Sequence, residues 1–147
     1  MQKLIIFLLF FLIYSNSYAE DEYFLTLRNE KVNLRQGPSF DYPVKIFYKK
    51  KFLPVLVQDK SENFRKIRDH ENNSGWIHIS QLSKKKAAIV IDKNSYIYSK
   101  DTVYSKPLAI AEIGKLLLVK KCKNEWCEIK DKEVTGWIKN KYLWGKL

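Results

Sequence analysis

The sequence predicts an all-β protein, two small β-barrels or sandwiches in tandem behind an N-terminal export segment. Three observations predict it. The chain opens on a short charged-then-apolar leader. From about residue 24 onward it reads as brief alternating apolar runs cut by turn residues, with no sustained helical period. The two halves of that stretch then present the same elements in the same order.

The leader comes first. Lys3 supplies a positive start, Leu4–Tyr14 is unbroken apolar sequence, and Ser17 and Ala19 occupy the small-residue positions that a signal peptidase reads. The expected cut follows Ala19, so residues 1–19 are a signal peptide. As a helix the apolar run rises only about 16 Å, against roughly 30 Å of bilayer hydrocarbon, which disfavours a retained anchor. No Cys lies near the cut to carry a lipid, which disfavours a lipoprotein, and the expected location is exported and periplasmic rather than released to the medium.

Cleavage would leave 128 residues (147 minus 19), enough for two very small domains. Such domains bury only about 60% of their unfolded surface, so they need dense packing or cross-links. The net charge is +11, or +10 once Lys3 is lost, and 23 of the 27 basic residues are Lys. This excess fits weak attraction to anionic envelope surfaces. It equally fits the Lys, Asn and Ile usage of an A+T-rich genome. Nucleic acid is a poor partner for an exported chain.

The two cysteines, Cys122 and Cys127, flank Lys123-Asn124-Glu125-Trp126. With Asn124-Glu125 as a two-residue turn, Cys122 faces Cys127 across a hairpin, close enough for a disulfide that an oxidising compartment would preserve. Two Cys without clustered His or carboxylates make no zinc site, and the spacing is not that of a redox pair.

The β-runs follow in order: Val32–Arg35, Val44–Tyr48, Leu53–Val57, Phe64–Ile67 and Trp76–Ile79, then Ala88–Ile91, Tyr96–Tyr98, Leu116–Val119, Trp126–Ile129 and Gly136–Ile138. Gly75-Trp76-Ile77 recurs as Gly136-Trp137-Ile138, Phe64-x-x-Ile67 as Trp126-x-x-Ile129, and Leu82 as Leu143. Repeat one is expected over 24–83 and repeat two over 88–145, with five or six strands each and a basic linker around Lys84-Lys85-Lys86.

Several residues stand out as candidates for ligand contact. Gly37-Pro38 reads as a turn, with Gly supplying φ > 0 and Pro the next dihedral. Arg35 beside it could clamp a carboxylate or brace the loop through Asp41. Phe40 and Tyr42 in the same loop either pack into it or offer flat apolar faces to sugars or prolyl peptides. Trp76 reads either as a binding residue or as core filling, as does Trp137. Trp144 could cover the last open edge of the second barrel or contact the first. The expected ligand-binding set is Arg35, Phe40, Tyr42 and Trp76. No catalytic constellation emerges. The acids look scattered over solvent-facing strand and turn positions, His70 and His78 are the only histidines, and both thiols are committed to the bridge. No cofactor, no metal and no enzymatic activity are expected.

The run Val32-Asn33-Leu34-Arg35-Gln36-Gly37-Pro38-Ser39, with Asp41-Tyr42-Pro43-Val44, the aromatic-x-x-Ile strand and Gly-Trp-Ile, resembles bacterial SH3-like domains. Cys122, Trp126-Cys127, Gly136-Trp137-Ile138 and Leu143-Trp144-Gly145 are similar to one branch, exported proteobacterial tandem SH3-like proteins of unassigned function. Repeat two departs at its entry, where Ser95–Lys100 replaces Asn-Leu-Arg-x-Gly-Pro. The resemblance implies non-catalytic binding of peptidoglycan glycopeptide or another cell-envelope ligand. The alternative it implies is a periplasmic adaptor that holds an extended peptide of an envelope protein.

Overall fold

The computed structural model describes residues 21–145 and 147; the expected signal peptide lies outside them. Repeat one comprises β1 (Tyr23–Leu27), β2 (Val32–Arg35), β3 (Val44–Tyr48), β4 (Pro54–Ser61), β5 (Phe64–Arg68), β6 (Ser74–His78) and β7 (Leu82–Ser83), with a 3₁₀ turn at Ile79–Gln81 before the last. Repeat two comprises β8 (Ala87–Val90), β9 (Ser95–Tyr98), β10 (Pro107–Ala111), β11 (Leu116–Lys123), β12 (Trp126–Lys130), β13 (Thr135–Lys139) and β14 (Leu143–Gly145), with its 3₁₀ turn at Asn140–Tyr142.

Each repeat is one antiparallel sheet. The strand orders, β3-β2-β6-β5-β4-β1-β7 and β10-β9-β13-β12-β11-β8-β14, are the same order displaced by seven. The internal repeat is therefore topological as well as sequential. Two expectations are corrected. Each unit has seven strands instead of five or six, and each sheet remains open between its end strands instead of closing into a barrel. Of the strands that the runs did not include, β1 (Tyr-Phe-Leu-Thr-Leu) is an ordinary strand sequence, whereas the others are short or poor in β-formers. β7 has two residues, and β10 begins Pro-Leu-Ala, a composition tolerated at an edge where one side of the backbone needs no partner.

Alternation places the cores. In β2 Val32 and Leu34 turn inward, as do Ile67 of β5 and Gly75 and Ile77 of β6. Leu27, Val32, Leu34, Val55, Val57, Ile67, Ile77 and Leu82 lie together in the first core. Val90, Ile97, Leu117, Val119, Ile129, Ile138 and Leu143 form the second. Trp76 and Trp137 belong to neither cluster and are half-buried on the opposite face from Gly and Ile, so the core-filling reading fails for both. The strand period explains it: when Gly75 and Ile77 point in, Trp76 must point out.

The recurrent glycine has a steric cause. A Cβ on Gly75 would lie 2.6 Å from the Arg35 carbonyl oxygen and 2.8 Å from Leu34 Cγ. On Gly136 it would lie 2.6 Å from the Tyr98 carbonyl oxygen and 2.7 Å from Ile97 Cγ2. At both places β6 or β13 crosses its neighbour too closely for any side chain. Gly136→Ala is accordingly expected to cost about 2–3 kcal/mol, the scale of overpacking against backbone. Urea unfolding would measure it, and a loss below about 0.5 kcal/mol would show that the two strands can part freely.

The hairpin between β11 and β12 has the register its cysteines require, with Lys123 opposite Trp126 and Cys122 opposite Cys127. Asn124 takes φ +51° in the turn, and the disulfide is formed. Reduction is expected to lower stability by roughly 2 kcal/mol, the chain-entropy value for so short a loop. Parallel urea titrations with and without reductant would read it; coincident curves would leave the bridge without a stabilising role.

The repeats are packed against each other. All four residues of β8 are buried, as are Pro54, Leu56 and the inward Val55 and Val57 of β4. A strand buried on both faces reads as continuous apolar sequence, and Ala87-Ala88-Ile89-Val90 does. Ala88 and Val90 belong to the second core, whereas Ile89 joins the first, with Leu116 packed beside it. Trp144 meets Phe24 edge-on at 4.9 Å and lies 6.2 Å from the His70 ring, so it contacts the first repeat. The linker is tied to both repeats. Thr26 Oγ1 donates to the Lys85 carbonyl at 2.9 Å, and the Val119 amide donates to the Lys86 carbonyl at 3.1 Å.

Candidate functional site

The loop between β2 and β3 carries two of the four expected ligand-binding residues, Phe40 and Tyr42, and Arg35, the last residue of β2, organises it. Its Nη1 donates to the carbonyl of Phe40 at 3.1 Å and of Tyr42 at 2.8 Å, and its guanidinium carbon stands 5.4 Å from the Phe40 ring centre. Arg35 is thus a brace, but through backbone carbonyls and not through Asp41. Asp41 turns instead to Ser39, whose hydroxyl donates to it at 3.2 Å and accepts from its amide at 3.0 Å.

Gly37 does not adopt the expected positive φ. It is required by close approach: a Cβ there would sit 2.5 Å from the Tyr42 ring. Tyr42 therefore lies across the loop base, partly exposed. Trp76 stands opposite Arg35 in the β2–β6 register and opposite Lys66 in the β5–β6 register.

Phe40 is the most open of the set, 61% exposed. Its ring lies 5.2 Å from Phe64 and 5.1 Å from His78, and these two stand 5.1 Å from one another, a closed triangle of rings. The triangle forms one wall of an open cleft of about 420 Å³, whose other walls are Pro38–Asp41 and the Glu62-Asn63 turn. His78 Nδ1 accepts from the Ser80 amide at 3.3 Å and lies 2.8 Å from Ser80 Oγ, which fixes the imidazole plane.

Arg35, Phe40 and Tyr42 are brought together, then, with Trp76 beside Arg35. The cleft itself is lined by Phe40 with Phe64 and His78, and neither of these last two is among the residues expected from the sequence to contact a ligand. A signal for them existed. Phe64 follows the Glu62-Asn63 turn and His78 closes the Gly-Trp-Ile strand; their register pairing puts the two side by side.

Repeat two builds this corner differently. Tyr98 takes the place of Arg35 opposite Trp137 and packs edge-on against Trp126 at 5.6 Å. Lys139, in the place of His78, stands over Trp126 at 5.6 Å. Its long loop is tied by Ser105 to the Lys100 backbone and by Lys123 to Asp101 at 2.8 Å. The Lys123 hydrogen bond holds the Asp101 carboxyl below its usual range. Tyr104 at the loop tip is 95% exposed. Lys121 and Lys123 cover Trp137 at 5.7 and 5.0 Å, so the outer face of this repeat is a lysine-capped aromatic.

Among the described residues no group of three or more His, Cys, Asp and Glu could hold a metal ion, and no helix is long and apolar enough to cross a membrane. The acids are not all solvated, however. Asp69, read from the sequence as one more surface charge, is 1% exposed and accepts from the Tyr48 hydroxyl at 2.8 Å, the Glu71 and Asn73 amides at 3.0 and 2.8 Å, and Asn73 Nδ2 at 2.9 Å. It is a structural carboxylate that caps the turn between β5 and β6.

No protein of curated function matches the chain. Among solved structures it is similar to NlpC2 from Trichomonas vaginalis (13% identity, TM-score 0.39, covering 86% of this chain and 49% of that one). It is also similar to NlpC1 from the same organism (13%, 0.38, 88% and 48%) and to an NlpC/P60 family protein from Bacillus cereus ATCC 10987 (12%, 0.38, 83% and 56%). The chain spans about half the length of each. The family model for the bacterial SH3 domain matches twice, over residues 28–84 and 97–145, one match in each sheet. The chain belongs to the bacterial SH3 domain family and carries two copies of that domain in tandem.

Proposed function

We propose that the protein is an exported, non-catalytic binding protein whose first repeat takes cell-wall glycopeptide in the cleft beneath Phe40. The observation that carries this reading is the ring triangle. An exposed Phe is held in place by a guanidinium and two further rings at the mouth of an open cleft, at a cost in exposed apolar surface that folding alone does not require. Such rings receive the C–H faces of sugars and of extended peptide. Bacterial SH3 domains commonly bind cell-wall components, which supports the same reading. The lysine excess assists encounter with anionic polymers and is screened by salt.

The test is retention of the purified protein on isolated peptidoglycan across a salt series, against a charge-matched control. Retention should survive about 0.3 M salt, where bare charge attraction is largely screened. Phe40→Ala should weaken it about tenfold, the value of one well-placed aromatic contact. Retention no better than the control defeats the proposal. A second reading, an adaptor for an extended envelope-protein segment, draws on edge strand β10, whose Leu108 and Ile110 are exposed. Ile110→Lys abolishing a periplasmic cross-link that Phe40→Ala leaves intact would favour it.

A further inference from the structure

A second cleft, of about 510 Å³, lies against β1, β7 and the start of the linker. Its walls include Arg28, Arg65 and Lys84 together with Leu25, Ile79 and Tyr23, and no acidic side chain lines it. Only four of the 27 basic residues of this chain are Arg, and two of them meet here. Each guanidinium is held from behind. Arg28 Nε donates to the Leu82 carbonyl at 3.0 Å, and Arg65 Nη1 donates to the carbonyls of Glu62 and Phe64 at 3.1 and 3.0 Å. A guanidinium has five N–H groups, so these anchors use a minority of the donors, and no protein acceptor takes the rest among the described residues. The result is two oriented, incompletely satisfied forks beside a third cation, over a floor that is apolar.

We propose that this cleft binds the C-terminal carboxylate of a peptide whose last side chain is apolar. The planar fork of Arg matches a carboxylate with two parallel hydrogen bonds, and its stem is fixed before the ligand arrives, so less rotamer freedom is lost on binding. The apolar part of the wall decides between a bare ion and a larger ligand: an inorganic anion would leave Leu25 and Ile79 uncovered. A C-terminal residue carries carboxylate and side chain on one carbon, which suits cations and apolar surface set side by side. Lys84 adds charge without the fork. This site is independent of the Phe40 cleft. Along β5 the side chains of Phe64 and Arg65 point to opposite faces, and the two clefts follow them.

The experiment is an NMR titration of the purified protein with N-acetyl-alanyl-leucine, as the free acid and as its C-terminal amide. The acid should bind in the millimolar range and the amide about tenfold more weakly, with shifts centred on Arg28, Arg65 and Lys84. Arg65→Lys keeps the charge but removes the fork and should weaken the acid about fivefold; the exposed Lys84→Gln, which cannot disturb the core, should weaken it about twofold. Phe40→Ala should leave this titration unchanged while it reduces retention on peptidoglycan, so either reading can fail without the other. Equal binding of acid and amide would overturn the proposal. So would shifts centred on Phe40 and His78, or displacement of the acid by inorganic phosphate at equal concentration.

Discussion

Asp69→Ala should destabilise the protein by about 3–5 kcal/mol, a large share of the stability of any small domain. Four hydrogen bonds end on this one carboxylate, from Tyr48, Glu71 and Asn73, and it is almost wholly inside. Removing it strands a buried phenol and leaves two part-buried backbone amides without their acceptor, and each buried donor without a partner costs about 1–3 kcal/mol. Asp69→Asn keeps the volume and one acceptor oxygen and should lose about half as much, which keeps the comparison readable if the alanine variant does not fold. Urea unfolding followed by tryptophan fluorescence measures both. A loss below about 1 kcal/mol for alanine would mean that water replaces the carboxylate easily.

The same contact makes stability depend on alkaline pH. Burial, and then the hydrogen bond to Asp69, raise the Tyr48 phenol well above its ordinary value near 10. The folded state therefore favours the neutral phenol more strongly than the unfolded chain does. Its contribution is complete below about pH 10 and is lost as pH rises beyond that, by up to about 1.4 kcal/mol per pH unit. Tyr48→Phe should flatten this alkaline slope relative to the parent protein while costing about 1 kcal/mol at neutral pH, where Asp69 loses one donor. Identical slopes in the two proteins would assign the alkaline loss to other groups.

Asp69 also marks where the sequence stopped being legible. Asp69-His70-Glu71-Asn72-Asn73 has the composition of a solvated turn, and nothing local distinguishes an acid that caps such a turn from inside. Its partner Tyr48 is 21 residues away, and only the folded register brings the two together. The hairpin between Cys122 and Cys127 was legible for the opposite reason: spacing and turn residues settle it within six positions. The Gly-Trp-Ile strands fall between these cases. Their recurrence disclosed the repeat, but the inward direction of Gly and Ile, and hence the outward Trp, needed the neighbouring strand. In the candidate cleft, Phe40 drew notice as an aromatic in a loop, where packing within the loop and ligand contact read alike from the sequence. Phe64 and His78 sit in strands where an alternating aromatic normally does, so the ring triangle emerged only from register.

The run Ala87-Ala88-Ile89-Val90 carries the largest consequence for how the two repeats act together. Ile89 lies in repeat two by sequence, yet it is buried in the core of repeat one beside Leu27, Val55 and Leu82. Ile89→Ala should cost about 2–4 kcal/mol, the usual range for such a truncation in a packed site. The distribution of that loss distinguishes coupled from independent repeats. If the repeats are independent, the variant should weaken amide protection only in β8 and its sheet neighbours β11 and β14. With Ile89 sealing the first core, protection should fall equally in β4 and β5 of repeat one, which share no hydrogen-bonded strand with β8. The trimmed side chain leaves a cavity on the first repeat's side, because Ala88 and Val90, which face the second core, are untouched. Hydrogen exchange read strand by strand makes the comparison. Loss confined to repeat two would separate the domains energetically; loss in both makes the tandem pair one cooperative unit, with the Phe40 cleft stabilised by a residue from the other repeat.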